Sequence, residues 1–196
     1  MSEQQPIPKR RPGGRTADST RRLYEAVLEL LATGGYEAVT FQEVAAQAEV
    51  NRSTIYRRWA TRAELVFDAI ESVAAASVSV PDTGDYRSDL RALLSSLKDF
   101  LSSPLGIASL AAGAEMSRTA EVPERRDAFW KARFDELAIV FTRAMEKGQL
   151  STAFDAEVGT SMLGGALFFR IVMMAESIDD QWVERVSNQF FLMQAH

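Results

Sequence analysis

Apolar residues return every three or four positions from one end of this chain to the other. Trp130, Phe134, Leu137, Phe141 and Met145 follow one another at spacings of 4, 3, 4 and 4, which places all five on one face of a helix. No stretch alternates with the period of two that a half-buried strand needs, and no Asn-Gly or Asp-Gly pair marks a hairpin. The chain reads as all-α, with about nine helices.

Residues that start and stop helices divide the pattern. Leu23, Val27, Leu30 and Leu31 form the stripe of the first helix, which Gly34-Gly35 ends as a left-handed cap. "TFQE" at Thr40–Glu43 and "TRAE" at Thr61–Glu64 are capping boxes, in which the Thr hydroxyl accepts from the amide three residues on and the Glu reaches back. Between them lies a short helix with Phe41, Val44, Ala45 and Ala48 on its core side; the second box opens a longer helix that buries Leu65, Val66, Ala69, Ile70 and Val73. "SVPDTGD", Ser79–Asp85, is the domain boundary. Beyond it the spacing predicts helices over 86–102 and 105–116, one that begins at Pro123 and ends at Gly148, and two more opened by Asp155 and Asp179.

The net charge is -5, which taken alone speaks against a nucleic-acid partner. Its distribution says otherwise: residues 1–62 carry a balance of +3 and the remainder -8. A basic module borne on an acidic body suits a phosphate backbone. Cys is absent and the single His is the last residue, His196. That excludes disulfides, thiolate or His-based catalysis and His-rich metal sites, so no metal and no cofactor is expected. No secretory signal is visible at the start, which makes the cytoplasm the expected location.

The basic residues concentrate in "VNRSTIYRRWATRAEL", Val50–Leu65. Asn51 caps a helix expected to run from Arg52 to Trp59, with Ile55 and Trp59 sharing one face and Ser53, Thr54, Arg57 and Arg58 looking the other way. An outward face of Arg, Ser and Thr beside a Tyr hydroxyl has the donors that base edges and phosphates accept. Two short helices joined by a tight turn make a helix-turn-helix. "KRRPGGR", Lys9–Arg15, precedes the module and is slender enough for Arg11 and Arg15 to follow a minor groove. A solvated basic face beside a core Trp, carrying a soluble tail, would show the same residues.

The run Tyr36–Leu65 resembles the DNA-binding domain of the TetR family of bacterial transcriptional regulators. The matching positions are Gly35-Tyr36, Thr40, Val50, Thr54-Ile55-Tyr56, Trp59 and Arg62; the turn departs from the pattern at Glu49, where the family commonly has Gly. "EKGQL" at Glu146–Leu150 and "GGALFFR" at Gly164–Arg170 resemble one C-terminal branch of the same family. The resemblance implies a homodimeric repressor on a near-palindromic double-stranded operator, with Arg52, Ser53 and Thr54 at bases and Thr40, Tyr56 and Arg62 at phosphates. Arg57 and Arg58 join them on geometry.

The domains are then a basic arm over 1–17, a helix-turn-helix domain over 18–60, a connecting helix and linker over 61–85, and a ligand-binding and dimerisation bundle over 86–196. Phe100, Leu101, Met116, Trp130, Phe134, Phe141, Met145, Met162, Phe169, Arg170 and Met173 are the candidate pocket for a small lipophilic ligand, or are plain core. Val158–Ala175 is apolar nearly all round except for Arg170. It is read as a helix buried on two sides rather than a membrane span, with Gly164 and Gly165 allowing close approach. Gly164, Gly165, Phe168, Val186 and Phe190 are the candidate dimer contacts. Arg170 needs a partner: Glu115, Glu176, a neighbouring subunit or an anionic ligand. An all-helical enzyme lacks a visible catalytic constellation, a protein-interaction bundle would show no salt-sensitive duplex binding, and an activator or a ligand-independent regulator would share every residue named above.

Overall fold

The computed structural model describes residues 13–116 and 123–194, the side chains of 13–16 and 125 excepted. Among these residues there are nine α-helices and no strand: α1 Gly13–Ala38, α2 Phe41–Gln47, α3 Arg52–Tyr56, α4 Arg62–Ser77, α5 Tyr86–Ser102, α6 Pro104–Met116, α7 Pro123–Glu146, α8 Ala156–Phe168 and α9 Asp180–Met193. A π-helical turn, Phe169–Met173, prolongs α8.

The caps act as their residue types require. Thr40 and Thr61 accept from the amides of Glu43 and Glu64 at 3.1 and 3.2 Å. Glu64 returns the bond, though to the amide of Ala60, one residue before the cap, at 2.7 Å. Asp155 and Asp179 accept from the amides of Val158 and Trp182. Three details differ from expectation. α1 already runs from Gly13, so Arg15, expected in an arm over 1–17, lies in its first turn. α3 stops at Tyr56, three residues short of Trp59, because the chain must turn there to enter α4. Val73 is half-buried, and Ala74 takes the inner position on α4. Arg11 and His196 lie outside the described residues.

Two hydrophobic cores organise the chain. The first joins Leu23, Val27 and Leu31 of α1 to Val44, Ile55, Trp59 and the inner face of α4 as far as Ile70, and it also takes in Ala112 and Met116 of α6. The first core, expected to end with the helix-turn-helix at 60, thus reaches past it and includes a helix from the C-terminal half. The second is built from Leu90, Leu93 and Leu94 of α5, Phe141 of α7, Leu163 and Leu167 of α8 and Phe190 of α9. Between them the linker is held by hydrogen bonds: Thr83 donates to Asp89 from its amide and its hydroxyl, at 2.9 and 2.7 Å, and Lys147 pairs with Asp82 at 2.9 Å.

Strained backbone flanks α2, and Ala175 past the π-helical turn is a further non-glycine residue at positive φ, 53°. Gly35 has φ 69° and ψ -170°, a region that essentially only glycine adopts, and it kinks α1 before Tyr36. Glu49 has φ 54°, so the residue that stands where the family commonly has Gly is in the left-handed region. Glu49→Gly is expected to stabilise the protein by about 1 kcal/mol, and Gly35→Ala to destabilise it by roughly 1–3 kcal/mol. Urea denaturation of the two variants checks both signs.

Candidate nucleic-acid interface and ligand cavity

Ile55 is fully buried and Trp59 is 2% exposed. Although α3 ends before it, Trp59 keeps the helical spacing because its backbone N–H donates to the Ile55 carbonyl at 3.0 Å. Its indole N–H donates to Asp68 of α4 at 2.6 Å, and its ring meets Tyr24 of α1 edge-on at 6.3 Å. Two buried side chains thereby fix which way the rest of α3 faces.

That outward face carries Arg52, Ser53, Tyr56 and Arg57, all exposed, with Thr54 half-buried beside them. Asn51 caps α3 by accepting from the Ser53 amide at 2.9 Å. Tyr56 rests its ring edge-on against Phe41, centroids 5.0 Å apart, and is still 63% exposed. Thr40 is exposed at the α2 N-terminus, with its hydroxyl proton still available while its oxygen caps the helix. Arg58 and Arg62 are placed differently. Arg58 stacks over Trp59 at 4.3 Å and donates to Thr20 of α1 at 2.5 Å. Arg62 lies over the Tyr36 ring at 4.0 Å and pairs with Glu37 at 3.0 Å. Burial alone would pull its guanidinium down, but Glu37 and Tyr36 outweigh that and hold it above its ordinary value. Both arginines therefore brace α3 and α4 against α1.

Between the two cores lies a cavity of about 360 Å³, almost wholly apolar. Of the residues expected there, Phe100, Leu101, Met116, Trp130, Phe134 and Phe141 line it. Met162, Phe169, Arg170 and Met173 do not. Met162, Phe169 and Met173 are 48%, 58% and 67% exposed, because they sit on the outer side of α8 and its π-helical extension. Arg170 finds its partner locally, pairing with Glu176 at 2.7 Å and donating to the Ser177 carbonyl. Met145 packs on the second core.

The residues expected at a dimer contact also divide. Gly164, Gly165 and Phe168 border the cavity, and a Cβ on either glycine would meet nothing within 4 Å. Phe190 is buried against Phe141 and Phe154, and Val186 packs on the same core, so the inner face of α9 is internal. The segment Ala156–Met173 is long and apolar enough to cross a membrane by length and composition, and only 22% of it is buried within one chain.

Sequence reasoning missed several cavity residues. Leu90, Leu94 and Leu97 form a stripe on α5 that helical spacing could have supplied. Gly106 gave no such signal: a Cβ there would stand 2.0 Å from the Phe100 carbonyl, so only glycine lets α6 start against the end of α5. Arg133 is hidden among the charges of α7, yet it is buried on the cavity wall.

A short capped helix, a tight turn and a second helix pinned by Ile55 and Trp59 define a helix-turn-helix DNA-binding domain, here carried on a helical bundle with an apolar cavity. Family models agree at both ends: bacterial regulatory proteins of the tetR family match residues 23–69, and a tetracyclin repressor-like C-terminal domain matches residues 80–190. The chain belongs to the TetR family of transcriptional regulators. It is 30% identical to the uncharacterized HTH-type transcriptional regulator YdeS of Bacillus subtilis over 89% of each chain. It is 28% identical to the HTH-type transcriptional regulator AqdR of Rhodococcus erythropolis, over 84% of this chain and 79% of that one. Among solved structures, the TetR family regulator SCO0332 superposes with a TM-score of 0.74 at 27% identity, over 89% of this chain and 97% of that one. FadR from Bacillus subtilis, solved in complex with stearoyl-CoA, shares the fold with a TM-score of 0.67 at 17% identity, over 89% and 97%.

Trp59→Ala is expected to cost roughly 3–5 kcal/mol, since it empties the contact that holds α3 to both α1 and α4. Thermal and urea unfolding of the variant measure that loss.

Proposed function

We propose that this regulator is a homodimeric repressor that reads a near-palindromic operator through α3 and lets go when a small lipophilic ligand fills the cavity. The observation that carries the proposal is a shared wall. Phe67 and Ile70 of α4 and Met116 of α6 belong to the DNA-binding core and also line the cavity. A ligand there presses on side chains of α4 and α6, the two helices packed most extensively on α1. Phe129 of α7 extends the contact, its ring 5.5 Å from that of Phe67.

For release, the ligand must bind one spacing of the two recognition helices better than the other; equal affinity would shift nothing. The fold supports the second subunit as well. Val158, Met162, Phe168, Phe169, Val172 and Met173 leave one side of α8 and its extension apolar and exposed in a single chain, the kind of patch that marks an interface. AibR, a neighbour in fold with a TM-score of 0.59 at 22% identity, was solved in complex with both isovaleryl coenzyme A and operator DNA.

On DNA, Arg52, Ser53, Thr54 and Arg57 take base edges and Thr40 and Tyr56 take phosphates, while Arg58 and Arg62 keep α3 at the angle that makes this possible. Binding to a duplex selected by the purified protein tests the division. Arg57→Ala should lose about 1–3 kcal/mol and relax the preference for one base. Tyr56→Phe should weaken all sequences alike. Equal loss of specificity from both changes would contradict the assignment, and an operator affinity indifferent to every compound that enters the cavity would contradict the release mechanism.

A further inference from the structure

Four hydroxyl-bearing or charged side chains border the otherwise apolar cavity: Ser109, Arg133, Thr160 and Ser161. Two are accounted for. Thr160 donates to the Ala156 carbonyl one turn back at 2.8 Å, and Ser161 is exposed. A buried helical serine ordinarily gives its proton to the carbonyl four residues earlier, as Ser187 does to Val183 at 2.8 Å. Ser109 does not. Its hydroxyl is buried, the residue being 7% exposed, and it makes no hydrogen bond among the described residues.

Arg133 stands on the same cavity with its side chain 11% exposed. One hydrogen bond is formed, from Nη1 to Oε2 of Glu136 at 2.5 Å, and Glu136 itself is exposed at the surface. A guanidinium carries five N–H donors in a fork. Its remaining N–H groups have no protein acceptor among the described residues and are open to an acceptor in the cavity.

Building on the cavity as a ligand site, we propose that the ligand is a single apolar chain ending in a carboxylate. Its two oxygens accept from the Ser109 hydroxyl and the Arg133 guanidinium, and its chain lies along Leu90, Leu94, Leu97 and Phe100. A carboxylate satisfies both donors with charge-assisted bonds. A hydrocarbon leaves both unmet, and an alcohol offers one neutral oxygen in place of two charged ones.

Fluorescence titration, following Trp130 on the cavity wall, compares dodecanoate, dodecanol and dodecanoyl-coenzyme A as probes. It is run on the full chain and on Arg133→Met, Arg133→Lys and Ser109→Ala. The parent protein should bind the acid at least about tenfold more tightly than the alcohol. That preference should fall to near unity in Arg133→Met, return in part in Arg133→Lys, and drop roughly threefold to tenfold in Ser109→Ala. Should Arg133→Met fail to fold, the lysine and Ser109 variants carry the comparison. Equal binding of acid and alcohol, or a preference that survives loss of the guanidinium, overturns the proposal and leaves the cavity as a site for neutral lipophiles. Tighter binding of the thioester, lost in the same variants, moves both donors onto an acyl carbonyl and overturns the carboxylate. Failure of all three probes to bind overturns the proposal together with the ligand-site reading beneath it.

Discussion

The burial of Trp59 is the contact on which the rest of the molecule depends. Its ring closes the core between α1 and α4, its N–H is met by Asp68, and its face supports the Arg58 guanidinium. A five-residue helix has too few hydrogen bonds to hold itself in water. α3 is stable because Ile55 and Trp59 fasten it to its neighbours, and the same fastening turns Arg52, Ser53 and Arg57 outward. Fold and recognition surface are two consequences of one packing decision.

α6 makes the two halves a single device. It takes part in the DNA-binding core through Ala112 and Met116, and turns Ser109, Leu110 and Gly113 to the cavity. Gly106 lets it start hard against α5, so a shift at the α5–α6 corner has little room to dissipate. Packed interiors respond to an added ligand by moving whole elements, and α6 leads from the cavity straight to α1.

Most of the helix pattern was legible in the sequence because its signals are local. Thr40, Thr61, Asp155 and Asp179 are caps whose chemistry acts within three residues, and Gly148 ends α7 with φ 68°. The end of α3 was not legible, since Trp59 preserves helical spacing after the helix has stopped. Charge alone could not divide the basic run: Arg58, though exposed, lies over Trp59 and donates to Thr20, and Arg62 lies over Tyr36 and pairs with Glu37, partners as far as 38 residues away. In the cavity, hydrophobicity named Trp130, Phe134 and Phe141 of α7 but not Phe129, and it could not say which side of α8 faces inward. Met162, Phe169 and Met173 are as apolar as Leu163 and Leu167 and lie on the opposite side.

In the proposed dimer, the state of the cavity sets the spacing of the two recognition helices. Because the chain has no cysteine, a spin label at Ala46→Cys, exposed on α2 beside the recognition helix and outside the residues assigned to DNA, reports that spacing without background. Double electron–electron resonance would be recorded on operator-bound protein and on protein whose cavity is filled by Gly113→Leu, where the added Cβ already touches Trp130 at 3.8 Å and the rest of the side chain takes up cavity space. A single distance near one helical turn of DNA, about 34–36 Å, that moves when the cavity is filled is the predicted result. The absence of any inter-label distance, or one distribution in both states, would contradict it.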